Sequence, residues 1–312
     1  MGGSDETVRI YVGTDRSQRI GLRVLEYSIR RFTDLDVEVR SLEEVQARVP
    51  RDPRNRQRTG FSFSRFAIPK LAGYSGRAIY MDADMQVFRD IRELWTLPAN
   101  GAHIVCQEEL PTHVARSAKL AAPQTRTKQC SVMLLDCGAL DWDLDAVVRG
   151  LDGEYDYAQL MQQLCIVPED RISYSLPLRW NSLEHYDKTT CLIHYTDMPT
   201  QPWVCVDNPN GHLWTSEVRR MLSDGTLSYE ELEEEVGLGF MRPSFLVELR
   251  RVDDSTTSLF KRELAEVDRQ AGFVKHAELM RRRQLFKEEI RAFERQLAQS
   301  PLDRMLGRRA VR

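Results

Sequence analysis

The sequence predicts an α/β protein with a mixed, mostly parallel central sheet flanked by helices and a helical C-terminal extension. Three observations point there. Short apolar runs alternate with segments of helical spacing, several of those runs end on polar or acidic residues, and the chain turns charged and helix-favouring toward its C-terminus. The expected division places the α/β domain at residues 1–215 and a helical extension at residues 216–312.

The run Val8-Arg9-Ile10-Tyr11-Val12 reads as the first strand, ending at Gly13-Thr14-Asp15. Residues 17–32 carry an apolar stripe of Ile20, Val24, Leu25 and Ile29, the spacing of an amphipathic helix. Residues 37–39 form a short second strand. Residues 50–60 are basic and proline-punctuated, which makes them a loop, and residues 63–71 look helical. Strands follow at 77–81, 103–107 and 131–135. Beyond residue 214, Ser228 with Glu231 forms a capping box for a short acidic helix that Gly237 ends. Residues 255–297 are helix-favouring, and from Lys275 onward Lys and Arg outnumber Asp and Glu.

The most informative segment is Ala78-Ile79-Tyr80-Met81-Asp82-Ala83-Asp84, an apolar strand that stops on two carboxylates. In open α/β sheets ligands sit beyond the carboxyl ends of strands. Two carboxylates at i and i+2 repel one another unless a positive charge lies between them. A hard divalent cation bridging to phosphate is a natural partner. Asp-x-Asp also occurs at 34/36, 141/143 and 143/145, but the pair at 82/84 follows a strand-like run and these do not. A solvated turn at a strand end would use the same residues. His194 ends the apolar lead-in Cys191-Leu192-Ile193 in the same manner. Joined to the two carboxylates, its imidazole would favour Mn2+ over Mg2+, which prefers oxygen alone. Alone, a strand-end histidine more often fills a satisfied structural role.

Composition narrows the classes. A formal charge of −3 gives no reason to expect nucleic-acid binding, and 42% hydrophobic residues over 312 positions allow a sizeable core. No apolar stretch approaches the roughly 18 residues of a membrane span. Residues 1–6 resemble neither a secretory nor a myristoylation signal. The six cysteines lack paired zinc spacing, and several lie in apolar runs, so buried thiols in a reducing, cytoplasmic compartment are expected. Phosphate-loop, Gly-x-Gly-x-x-Gly and Gly-x-Ser-x-Gly motifs are absent.

Several segments match one pattern. Val12-Gly13-Thr14-Asp15, Phe63-Ser64-Arg65-Phe66, Ile79 through Asp84, Asp90 through Trp95, and His194 through Trp203 resemble the GT-A, Rossmann-like nucleotide-sugar glycosyltransferases of family 8. That retaining family includes glycogenin and bacterial lipooligosaccharide galactosyltransferases. The resemblance spans about residues 8–205 and implies transfer of a hexose from a UDP-sugar with Mn2+ (or Mg2+) held by Asp82, Asp84 and His194. It implies a nucleoside site at Gly13, Thr14, Asp15, Gln18, Arg65, Asp82 and Ala83. Glycine permits close backbone approach, and a carboxylate accepts from an imide or a ribose hydroxyl. Asp15 would also serve as a helix N-cap. Gln129, Ser131 and Gln201 fall on the donor-sugar and diphosphate side. Asp156 is the expected catalytic residue, orienting the sugar or stabilising the oxocarbenium-like centre, although an acidic residue opening a helix is common. The segment Arg179-Trp180-Asn181 is expected on the acceptor side without a chemical role.

The chain also departs from the family pattern. Gln201 stands where the family has a diphosphate-binding lysine, Tyr157 replaces a glutamine, and Gln129-Cys130-Ser131 replaces Asn-Ala-Gly. These departures keep two other readings open: a sugar-phosphate nucleotidyltransferase and a catalytically silent nucleotide-sugar-binding module. The acceptor (sugar, lipid or small molecule) is not indicated, and self-association is left open. The basic tail would allow peripheral contact with the inner face of a membrane, with a solvated helical cap as the alternative.

Overall fold

A computed structural model describes residues 7–108, 128–250 and 258–299. The central sheet contains β1 (Val8–Gly13), β2 (Val37–Ser41), β3 (Arg77–Asp82), β5 (Ile104–Glu108), β6 (Lys128–Asp136) and β7 (Ile172–Ser173). Their order is β2-β1-β3-β6-β5-β7. β1 lies parallel to β2 and β3, β5 parallel to β7, and β6 antiparallel to both neighbours. The sheet is therefore mixed and mostly parallel. Side chains alternate along β1 and β3, yet both faces are buried. Tyr11, Ala78 and Tyr80 join one apolar cluster, while Ile10, Val12, Ile79 and Met81 join another.

Helix α1 (Arg19–Arg31) buries Ile20, Val24, Leu25 and Ile29, the stripe visible in the sequence, and follows a 3-10 turn at Arg16–Gln18. The stretch at 63–71 divides into a 3-10 turn (Ser64–Ala67) and α2 (Ile68–Leu71). A helix after the metal strand is present at α3 (Arg92–Trp95), followed by α4 (Leu144–Gly150) and α5 (Tyr157–Gln163).

A second, three-stranded sheet was legible only through its histidine-bearing strand. β4 (Met85–Val87) runs antiparallel to β9 (Leu192–His194), and β8 (Ser182–Leu183) lies parallel to β9. Ser28 in α1 fixes this sheet to the body: its hydroxyl accepts from Val87 N at 3.0 Å and donates to Leu25 O at 2.8 Å.

The C-terminal helices are α6 (Gly211–Ser223), α7 (Tyr229–Gly237), α8 (Ser244–Leu249), α9 (Ser258–Gln270) and α10 (Ala277–Gln299). The Ser228–Glu231 capping box is present, but Gly237 is helical, and the left-handed turn falls at Gly239 with φ 75°. The long helix-favouring stretch splits at Gly272, where φ is 65°. Residues 251–257 and 300–312, which hold part of that stretch and the end of the basic tail, lie outside the described residues. None of the described helices is long and apolar enough to cross a membrane.

Helices α6 to α8 share a core with the sheet domain. Trp203, Trp214 and Phe245 are fully buried beside Ile20, Val24, Ile193 and Tyr195, with the Trp214 ring centroid 5.3 Å from that of Trp203 and 5.2 Å from that of Phe245. Arg31 in α1 reaches the buried Glu217 of α6 at 2.7 Å. Replacing Trp214 by Ala should leave a large cavity and cost about 3–5 kcal/mol of unfolding free energy. Denaturant titration measures this, and a loss below about 1 kcal/mol would show that the two parts are packed independently.

Candidate active site

Two sheet registers assemble the site. Gly13 pairs with Asp82 across β1 and β3, and Ala83 N donates to Gly13 O at 3.1 Å, so the first-strand turn abuts the acidic pair. Met85 pairs with His194 across β4 and β9, and Tyr195 N donates to Asp84 O at 2.8 Å. These pairings carry His194 to the carboxylates across more than a hundred residues of intervening chain. One ligand atom from each of Asp82, Asp84 and His194 lies within 4.8 Å of the other two. Two ligands on opposite sides of one cation, each roughly 2.1–2.3 Å from it, span a similar distance, and the oxygen–oxygen–nitrogen donor set suits a first-row divalent ion. The residues fit a metal.

The electrostatics point the same way. Burial raises the Asp82 pKa, while Arg65 and then His194 pull it back only in part. Arg65 sits 3.6 Å from Asp82 Oδ1, lies over the Tyr80 ring at 4.4 Å, and donates to Cys130 O and Ser62 O. Tyr80 Oη donates to Asp82 Oδ1 at 2.5 Å. Burial alone would lower the His194 pKa, but Asp84, with its Oδ1 3.1 Å from Nε2, outweighs burial and leaves the imidazole raised. Without a cation, protons carry part of the positive charge these carboxylates need.

A buried network orients the imidazole. Asn181 donates through Nδ2 to Gln107 Oε1 at 3.0 Å and to Ser131 Oγ at 3.1 Å. Its Oδ1 is left to accept from His194 Nδ1 at 3.1 Å, which turns Nε2 toward Asp84. Asn181 therefore stands behind the metal ligand, where sequence reading had set it on the acceptor side without a role. Nothing in its spacing marked this, because the contact depends on the β8–β9 pairing.

Thr14 is buried, and Asp15 caps the 3-10 turn by accepting from Ser17 N and Ser17 Oγ. A Cβ at Gly13 would lie 2.2 Å from Tyr80 Oη, so only glycine fits there. Gln201 is fully buried and donates to Asp84 Oδ2 and Tyr195 O, both at 2.9 Å. Three buried glutamine atoms, Gln18 Oε1, Gln107 Nε2 and Gln201 Oε1, have no hydrogen-bond partner among the described residues. Gln129 and Ser131 lie on β6, the latter within the Asn181 network. Asp156 is the N-cap of α5, one carboxylate oxygen accepting from Gln159 N. Its neighbour Tyr157 has its ring centroid 6.1 Å from that of Phe63 and lies beneath the Arg58 guanidinium.

A family model, Glycosyl transferase family 8, matches residues 9–133. Protein CDI of Arabidopsis thaliana is 28% identical over 206 residues, covering 62% of this chain and 74% of that protein. Among solved structures, the galactosyltransferase LgtC, in complex with donor and acceptor sugar analogues, aligns with TM-score 0.49 at 14% identity, covering 73% of this chain and all of that one. The bifunctional glycosyltransferase WbbM aligns with TM-score 0.49 at 13% identity over 70% of this chain and half of that one. GlyE of Streptococcus pneumoniae gives 0.46 at 16%, over 68% and 60%. The family match running from β1 into β6 and the ligand triad make the chain similar to the family 8 glycosyltransferases.

Replacing Asn181 by Ala frees the imidazole to rotate and should weaken Mn2+ binding by about 10- to 100-fold with the fold retained. Titration followed by the signal of free Mn2+ reads this directly, and unchanged affinity would remove Asn181 from the site. Because the Asp82 and His194 pKa values are both raised, protons compete with metal from a higher pH than for free side chains. Mn2+ affinity should fall steadily between about pH 7.5 and pH 5.5. A flat profile over that range would contradict the arrangement.

Proposed function

We propose that the chain transfers a hexose from a UDP-sugar to an acceptor hydroxyl, with Mn2+ held by Asp82, Asp84 and His194, and with retention of anomeric configuration. The observation that carries this reading is the convergence of two carboxylates and an imidazole beside the Gly13–Asp15 turn. When bound, the cation stabilises the negative charge that develops on the departing diphosphate. Gly13, Thr14, Asp15 and Gln18 hold the nucleoside, with Ala83 lining the same turn. Arg65 favours the ionised form of Asp82 and adds positive charge beside the leaving group. Gln201 orients Asp84 by hydrogen bonding and contributes no charge. Gln129 and Ser131 face the donor sugar, and the second carboxylate oxygen of Asp156 is assigned to its orientation.

Residues 1–215 would carry this donor site, with residues 216–312 as the helical extension. A cytoplasmic location is proposed on the six cysteines, five of them buried. Replacing Asp84 by Asn removes one ligand charge and should lower Mn2+-dependent hydrolysis of the UDP-sugar by roughly 10²–10³-fold. The same assay separates the alternatives. Pyrophosphate as product would indicate a nucleotidyltransferase. Mn2+-dependent UDP binding without turnover on any UDP-sugar would indicate a binding module.

A further inference from the structure

Helix α10 and the turn before it fold back onto the loop that follows His194. Lys275 Nζ donates to Pro199 O at 2.9 Å, His276 Nε2 bonds Met198 O at 3.0 Å, and Arg283 Nη2 lies 3.2 Å from Met198 Sδ. The helix also rests on the basic loop 50–60: Arg54 stacks on Phe293, Arg58 on Phe286, and Arg56 pairs with Glu289. Between helix and loop lies a cleft of about 230 Å³ whose walls include Gly60, Phe63, Arg58, Arg283 and Phe286. Gly60 fixes where this cleft opens, because a Cβ there would lie 3.4 Å from Asp15 Oδ2. Gly60 thus joins the cleft to the first-strand turn at Asp15, and Met198, against which Arg283 lies, belongs to the loop whose Gln201 bonds Asp84.

The cations around this opening are not equivalent. Arg65 is committed to Asp82 and two carbonyls, Arg16 to Glu234 and Glu235, Arg56 to Glu289 and Arg282 to Glu278. Among the described residues, Arg283 and Arg58 pair with no carboxylate. Arg283 is held in place by a thioether, a weak acceptor that leaves its charge uncompensated. Arg58 stacks on the Tyr157 and Phe286 rings, with centroids at 4.6 and 4.9 Å. A diphosphate brought beside Asp82 and Asp84 needs more positive charge than one divalent ion and a committed arginine supply, and Gln201 adds none.

We propose that the C-terminal helix completes the donor site, with Arg283 binding the diphosphate of the nucleotide sugar and Arg58 as a second cation in the same cleft. This rests on the donor reading given above. A guanidinium suits the task because its planar fork can bond two phosphate oxygens at once. It also gives the extension a place in catalysis: the helix closes one wall of the cleft and places Arg283 there.

The test is calorimetry on the full chain with Mn2+ present, using UDP and inorganic pyrophosphate as probes. Replacing Arg283 by Ala, or by Met to keep its apolar contact, should weaken both probes about tenfold, with Arg283→Lys in between. Replacing Arg58 by Ala should weaken them by a smaller factor. Replacing Arg281 by Ala removes the same charge from the same helix outside the cleft and should leave binding unchanged. Wild-type affinity in the Arg283→Met variant, or an equal loss in Arg281→Ala, would overturn the proposal while leaving the donor reading intact. Failure of the wild-type chain to bind UDP with Mn2+ would overturn both.

Discussion

The antiparallel pairing of β4 with β9 is the constraint on which the site depends. It is short, with three residues on each strand, but its register sets Met85 opposite His194 and locks Asp84 to Tyr195 through a main-chain hydrogen bond. A slip of one residue would turn the imidazole to the opposite face and leave the two carboxylates without it, with Arg65 beside Asp82 only. The surrounding packing defends that register. Ser28 in α1 ties down Val87, Tyr195 Oη donates to the buried Gln86, and Ile193 enters the core built by Trp203 and Trp214. The apolar core of α6 to α8 therefore acts on the chemistry indirectly, by holding the strand that delivers the histidine.

The site stores an electrostatic conflict that a cation resolves. Asp82 is buried enough to resist ionisation, His194 is raised by Asp84, and the Tyr80 hydroxyl donates to Asp82. Burial and the like charge of Asp84 disfavour the bare, ionised Asp82, and a divalent ion would relieve both, whereas the Tyr80 hydrogen bond favours the ionised form. The unpartnered oxygens of Gln18 and Gln201 and the nitrogen of Gln107 belong to this neighbourhood as well. Buried polar atoms without partners are unusual in a folded protein and here flank the positions assigned to donor binding.

Much of this was legible in the sequence because it depends on local pattern. The strand run into Asp82, the stripe of α1 and the capping box of α7 each follow from spacing within a few residues. The end of α7 was misplaced by two residues, since either Gly237 or Gly239 could take the left-handed turn and only packing selects the second. Asn181 carried no signal, because its partners Gln107, Ser131 and His194 come from three different strands or their flanks. Arg283 was equally silent: one arginine in a basic helix looks like any other until tertiary contacts set it beside Met198. Local chemistry is written locally, whereas the residues that orient or complete a site are recognisable only once strand pairing has brought them together.

The central claim is that one imidazole and two carboxylates bind the same ion. Electron spin echo spectroscopy of the Mn2+-loaded protein tests it most directly, using chain labelled with 15N only at histidine. The account predicts modulation from one directly bound histidine nitrogen, lost when His194 is replaced by Ala and kept when His276 is replaced. A Mn2+ signal without histidine nitrogen coupling, or one that survives removal of His194, would contradict it.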